Sequence, residues 1–234
     1  MRLHTRTWGE GERTTVLVHG IMSDSRTWQV VAPRIAERGY RVVGVDLRGH
    51  GRSGRGRYSP QDWADDLVET LPSGPDVAIG HSLGAVALAL AVDRLRPGRA
   101  AYVDPAWFAG GGNGDVSADR YERFRRFKDA TRDQIVQVHP RWDTEDVDVE
   151  LATLRDWDPD TVDGASLISG ADLAPSQPLA PSLVLIAGES PYYRQEAVTE
   201  MRQRGLETRV VPDVGHTIHR DDPDAFLDSL QGWV

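Results

Sequence analysis

No cysteine occurs in the 234 residues. That absence removes disulfides, thiolate metal sites and a cysteine nucleophile together, and it fits a reducing compartment. Lysine is almost missing as well. Lys128 is the only one, and arginine carries the rest of the positive charge. The arginines are scattered, and the short run Arg123, Arg125, Arg126 makes no long basic stripe. With 27 basic residues against 36 acidic ones, the formal net charge is −9. Such a chain repels phosphate backbones, which argues against nucleic acid as a partner. No apolar stretch approaches the roughly 18 residues a membrane helix needs. The first ten residues are polar and hold no apolar signal core. The chain therefore reads as soluble and cytoplasmic, without a membrane partner. No cofactor is expected: Gly49 to Gly56 is glycine-rich, but it follows the second motif strand and has no Walker lysine. No metal is expected either, because His216 and His219 have no further ligand at a useful spacing.

What is present is a rhythm. Thr14–Val18, Arg41–Val45, Asp76–Ile79, Ala100–Val103, Ser182–Ala187 and Thr208–Val211 are short apolar runs without polar alternation. That pattern suits parallel strands covered on both faces. Arg2–Trp8 adds a candidate antiparallel edge strand. Helices are predicted between them over Thr27–Arg38, Pro60–Leu71, Ser82–Leu95, Pro191–Arg204 and Pro223–Trp233. Gly39 and Gly205 stand where helix ends favour positive φ. Strand and helix in alternation give an α/β fold, a mostly parallel central sheet with helices on both faces. The rhythm breaks over residues 106–180, a charged stretch rich in aromatics, with helical patches around Ala118–Arg132 and Thr144–Trp157. We read 1–105 and 181–234 as one core and 106–180 as a small helical cap inserted into it.

Gly80-His81-Ser82-Leu83-Gly84 has the G-x-S-x-G pattern. Alone it is weak, since it would arise by chance in roughly one chain in ten of this length. Here it follows a strand and precedes an apolar, alanine-rich helix, the context that puts a serine hydroxyl on a sharp turn above a sheet. Ser82 is thus the candidate nucleophile. His19-Gly20-Ile21-Met22 follows the first core strand. Gly20 permits a sharp turn, so the N–H of Ile21, with Met22 as the fallback, can join that of Leu83 in an oxyanion hole. Gly215-His216 follows the last core strand, and His216 is the preferred general base over His219. Asp46 ends a strand before a glycine-rich loop and reads as the holder of that loop's amides. His50 and His81 read as outer shell, with His81 pointing away from the nucleophile.

His19-Gly20, Asp46-Leu47-Arg48-Gly49-His50-Gly51-Arg52-Ser53, Gly80-His81-Ser82-Leu83-Gly84 and Gly215-His216, in this order and each after a strand, resemble the α/β-hydrolase superfamily. The resemblance spans almost the whole chain, the cap only in position and length. It implies a Ser-His-acid triad in that chain order, at the C-terminal ends of the parallel strands. Many relatives carry an aspartate after the strand that here ends at Gly188, yet this chain reads Gly188-Glu189-Ser190-Pro191. Asp104, at the end of the preceding strand, is the preferred acid, with Glu189 as the alternative.

The expected reaction is acyl transfer to water from a carboxylic ester, thioester or lactone. A serine rather than an aspartate at the elbow argues against haloalkane dehalogenase and epoxide hydrolase chemistry. An acyltransferase, a cofactor-free lyase or C–C hydrolase, and a non-catalytic ligand receptor are the alternatives on the same residues. The aromatics of the cap suggest a small-molecule substrate with an apolar or aromatic part. Trp28, Trp107 and Phe108 are the candidate pocket residues.

Overall fold

The computed structural model describes residues 1–107, 118–168, 172–190 and 195–234. Seven strands form one sheet: β1 (Thr5–Trp8), β2 (Arg13–Val18), β3 (Tyr40–Val45), β4 (Val77–His81), β5 (Arg99–Val103), β6 (Ser182–Ala187) and β7 (Glu207–Val211). Their spatial order is β1-β3-β2-β4-β5-β6-β7. Only β1 runs antiparallel, paired with β3 from Thr5 opposite Val45 to Trp8 opposite Val42. The other neighbours are parallel. The predicted sheet is present, with ends shifted by one to three residues.

The strand composition follows from burial on both sides. Val16 and Val18 of β2 enter one apolar cluster and Leu17 enters the other. Side chains alternate across a strand, so a strand covered twice is apolar at every position. The first cluster lies under α2 (Pro60–Thr70), α3 (Leu83–Leu95) and α8 (Gln195–Gln203). The second lies under α1 (Val31–Ala36) and α10 (Pro223–Ser229).

The helix expected over Thr27–Arg38 is in fact two pieces, a 3₁₀ turn at Ser25–Trp28 and then α1. Pro33 explains the break. It has no N–H to give, and its ring clashes with the carbonyl four residues earlier, at Gln29. Gly39 and Gly205 take φ of +86° and +88° after their helices, as helix C-termini favour.

Between β5 and β6 the chain leaves the sheet and forms α4 (Ala118–Phe127), α5 (Arg132–Val138), α6 (Thr144–Asp156) and α7 (Thr161–Ser166). These helices have an apolar cluster of their own, with Ile135, Trp142, Val147, Leu154, Trp157 and Val162 buried in it. The single lysine has a structural place here. Lys128 Nζ donates to the carbonyls of Leu154, Arg155 and Trp157 at 2.7, 3.0 and 2.5 Å, so a cation closes the C-terminus of α6. A short helix, α9 (Ile218–Asp221), follows β7; the sequence reading had no element there. Among the described residues no helix is long and apolar enough to cross a membrane.

Candidate active site

β2 leads outward to β3 on one side, while β4 lies on its other side. The connections reverse direction at this point, and ligands of open α/β sheets bind outside the carboxyl ends of the strands there. Gly20 follows β2 and Ser82 follows β4, so both motifs meet at this crevice.

Ser82 has φ 51° and ψ −114°, a strained conformation for a side chain with a Cβ. Two glycines make the turn possible. A Cβ on Gly80 would stand 2.7 Å from the carbonyl oxygen of Gly84, and one on Gly84 would overlap the carbonyl oxygens of Val18 and His19. The helix that begins at Leu83 therefore lies directly against β2. Its first N–H groups have no intrahelical acceptor, and its positive end faces the serine. Gly20 is equally confined, since a Cβ there would stand 3.2 Å from Ser82 Cβ and 2.9 Å from His81 Nδ1. Met22, two residues on, also has positive φ, 65°.

His216 Nδ1 lies 2.7 Å from Asp104 Oδ2. Asp104 is fully buried, and donors surround it. Its Oδ1 accepts from Ala187 N–H at 3.0 Å, and its Oδ2 accepts from the Ser190 hydroxyl at 2.9 Å. Its own N–H donates to Leu185 O at 2.7 Å. A buried carboxylate needs such partners. Glu189 lies elsewhere. Its side chain is 54% exposed and pairs with Arg141 at 2.8 Å. The segment where many relatives carry an aspartate thus supplies a hydroxyl to Asp104, not the carboxylate that meets the histidine.

His219, the competitor for the base, is buried and stacks on Trp28 with ring centroids 4.1 Å apart. Burial, with Arg220 and His216 beside it, holds its pKa well below that of free imidazole. Asp46 accepts from the backbone N–H groups of Ser25 and Arg52, both at 2.9 Å. Burial pushes its carboxyl up, yet these donors outweigh it and leave the pKa below the ordinary value. His19 is a neutral bridge: its Nε2 accepts from Leu47 N–H at 2.8 Å, which leaves Nδ1 to donate to Gly20 O at 2.6 Å.

His81 differs from its expected role. It does not point away from the site. Its Nε2 lies 2.9 Å from the carbonyl oxygen of His216, and the two rings are 4.7 Å apart. The side chain before Ser82 therefore ties the segment that carries His216.

Ser82, His81 and His216 open onto a cavity of about 350 Å³. Gly20, Ile21 and Met22 border it from the core, and Phe124, Phe127, Val138, His139 and Trp142 from the inserted helices. The aromatics proposed for this wall need correction. Trp28 and Trp107 are fully buried in the two sheet-face clusters and do not border the cavity; each fills the space between sheet and helix. Phe108 lies outside the described residues. The lining aromatics come from α4 and the turn before α6, which proximity to the motifs could not reveal.

The cavity wall also holds a buried charged pair, Glu150 and Arg220. Both are buried, with Arg220 Nη1 2.6 Å from Glu150 Oε2. Arg220 Nε also reaches Asp146 Oδ1 at 3.2 Å, and its Nη2 donates to Asp146 O at 2.6 Å. The guanidinium lies 3.4 Å from the centre of the Trp142 ring. Burial pushes the carboxyl groups of Asp146 and Glu150 up, against the pull of Arg220. Neighbouring Asp221 binds both sides of the histidine. It accepts from Gly215 N–H at 2.7 Å and from the Thr217 hydroxyl at 2.9 Å. It also accepts from Trp142 Nε1 at 2.8 Å.

Comparison with known proteins places this geometry. A 2-(acetamidomethylene)succinate hydrolase of Mesorhizobium japonicum is 38% identical over 88 residues, which cover 36% of this chain and 31% of that protein. Methylesterase 3 of Arabidopsis thaliana is 35% identical over 92 residues, 36% of this chain and 35% of the relative. These two alignments thus cover only about a third of each relative. A 2-succinyl-6-hydroxy-2,4-cyclohexadiene-1-carboxylate synthase of Serratia proteamaculans aligns over 97% of this chain and 95% of its own length, at 26% identity. Among solved structures, an N-formylmaleamic acid deformylase of Pseudomonas putida superposes with a TM-score of 0.82 at 25% identity, covering 97% of this chain and 96% of that one. The alpha/beta hydrolase family model matches residues 15–229, and with nearly the whole chain inside that match, the protein belongs to the alpha/beta hydrolase family.

Proposed function

We propose that the protein is a serine hydrolase that cleaves a carboxylic ester, thioester or lactone through an acyl-enzyme on Ser82. The observation that carries this reading is the 2.7 Å contact between His216 Nδ1 and a buried, donor-saturated Asp104, at the mouth of the cavity that also holds Ser82. Asp104 fixes the Nδ1–H tautomer and leaves His216 Nε2 to take the serine proton. The Ser82 oxygen attacks the carbonyl carbon. Negative charge develops on the carbonyl oxygen, and the N–H groups of Leu83 and Ile21, or of Met22 in place of Ile21, stabilise it. One such donor elsewhere is worth ~2.7–4 kcal/mol. His216 returns the proton to the leaving group, and water resolves the acyl-enzyme by the same steps in reverse. Phe124, Phe127 and Val138 favour an apolar or aromatic part in the substrate, and the inserted helices act as the cap over it.

A fluorophosphonate probe followed by peptide mass spectrometry tests the nucleophile. Ser82 takes the label, and Ser82→Ala does not. A folded protein that stays unlabelled overturns the reading. A second reading, in which the histidine–aspartate pair works without an acyl-enzyme, keeps a place because the relative aligned over nearly the full chain is named a synthase and not a hydrolase. Rapid quenching with an activated ester separates the two: an acyl adduct on Ser82 belongs to the first reading alone.

A further inference from the structure

A buried ion pair in the wall of a largely apolar cavity calls for a reason. Glu150 of α6 and Arg220 of α9 come from segments 70 residues apart. Both are about 4% exposed, and both border the cavity that holds Ser82. Stability is a poor explanation. Desolvating two charges offsets most of their attraction, and apolar residues of the same volume commonly serve a fold as well or better.

The pair is also asymmetric. Arg220 is engaged on three sides, with Nη1 on Glu150, Nε and Nη2 on Asp146, and its face on the Trp142 ring. Glu150 uses only one oxygen. Its Oε2 meets Arg220, and among the described residues no protein donor meets Oε1. Two carboxyl groups share one guanidinium, so acceptors outnumber what Arg220 alone can meet. Arg123 also borders the cavity, but it is exposed. Water screens a charge at the rim, whereas a buried one acts at nearly full strength.

Resting on the hydrolase reading above, we propose that Glu150 is a specificity residue: its free carboxylate oxygen accepts a hydrogen bond from the substrate. The substrate class is then an acyl compound that is apolar along most of its length but carries an O–H or N–H donor on the part lodged in the cavity. Compounds with only an acceptor or only a methyl group at that point leave Glu150 desolvated and unpaired, and are rejected. A site built to bond a polar group discriminates more strongly against its absence than an apolar pocket discriminates between shapes.

The test is a ladder of p-nitrophenyl esters of straight-chain acids, each length made with a terminal hydroxyl, a terminal methyl ketone and a terminal methyl. At one chain length the hydroxyl ester should exceed both partners in kcat/KM by roughly tenfold or more. In Glu150→Gln, Arg220 retains the amide oxygen and the amide nitrogen turns to the cavity. The hydroxyl advantage over the ketone should then disappear. Equal kcat/KM for the three termini at every length overturns the proposal, as does a hydroxyl preference that survives Glu150→Gln. The wild-type comparison decides even where the variant fails to fold. Fluorophosphonate labelling keeps the two readings apart. With Ser82 labelled and the termini treated alike, only the Glu150 role falls. With Ser82 unlabelled and no ester cleaved, both fall.

Discussion

Asp104 has a φ of 38° and no exposed surface, and it meets the base from the end of β5. In the proposed mechanism its worth lies in the tautomer it imposes on His216. Asp104→Asn leaves the volume unchanged but presents an amide that can donate to His216 Nδ1 and trap the wrong tautomer. Turnover of an activated ester is expected to fall by ~10³–10⁴-fold. Glu189→Gln removes only an exposed ion pair with Arg141, and exposed pairs contribute little. Its turnover should stay within about twofold of wild type. A steady-state assay of both variants checks the assignment, and the reverse order of effects would sink it. The sequence offered both carboxylates because β5 and β6 are neighbouring strands that end side by side. Only the direction of each side chain separates them, and one-dimensional spacing does not carry that.

Elements were more legible than contacts. The inner strands β2 to β6 announced themselves as apolar runs, because burial on both faces leaves little room for polar alternation, whereas at the edge only Val211 of β7 is buried. The turn at Ser82 was readable for a similar reason: a Cβ at Gly80 or Gly84 has nowhere to go. The cavity wall was not readable. α4 is charged and amphipathic, and nothing in its spacing says that Phe124 and Phe127 face the site. Arg220 read as one scattered arginine among many, since its partners Asp146 and Glu150 lie 70 or more positions away. Yet that long-range pairing joins two segments far apart in the chain. The histidine segment is clasped to the inserted helices through Asp221 with Trp142 and Arg220 with α6. Trp142→Phe keeps a ring for Arg220 but removes the N–H that Asp221 accepts, a loss of about 1–2 kcal/mol. Amide hydrogen exchange should then quicken together in residues 142–156 and 215–221, while β2, β4 and β5 keep their protection. Faster exchange confined to the inserted helices would mean that the clasp does not couple the two segments.

For the molecule as a whole, histidine burial sets the response to acid. His19, His50, His81 and His219 are held neutral chiefly by burial, and burial with Arg220 nearby lowers His139 to about 4. All five bind a proton more readily in the unfolded chain. As pH falls below about 6.5, the unfolded state takes up protons that the folded state refuses, and stability declines. Above that pH neither state is protonated there, and the term vanishes. Asp146 and Glu150 work in the opposite sense, since their raised values favour proton uptake by the folded chain. That contribution comes from two groups against five. Urea denaturation should therefore show at least about 1 kcal/mol less stability at pH 5.5 than at pH 7.5. An equal or higher midpoint at pH 5.5 would contradict it.

The chain leaves the sheet after β5 and returns at β6, and these two strands are hydrogen-bonded neighbours. They run parallel, so the chain exits at the carboxyl end of β5 and returns at the amino end of β6, and the inserted helices belong to a crossover along the sheet. In evolutionary terms a different insert could make that crossover without moving any strand, provided it spans the length of the sheet. Arg220 limits that freedom. A replacement that brought no carboxylates to meet it would strand a buried cation four residues from the base. Substrate range can drift along this lineage only through inserts that answer Arg220, or through loss of the arginine itself.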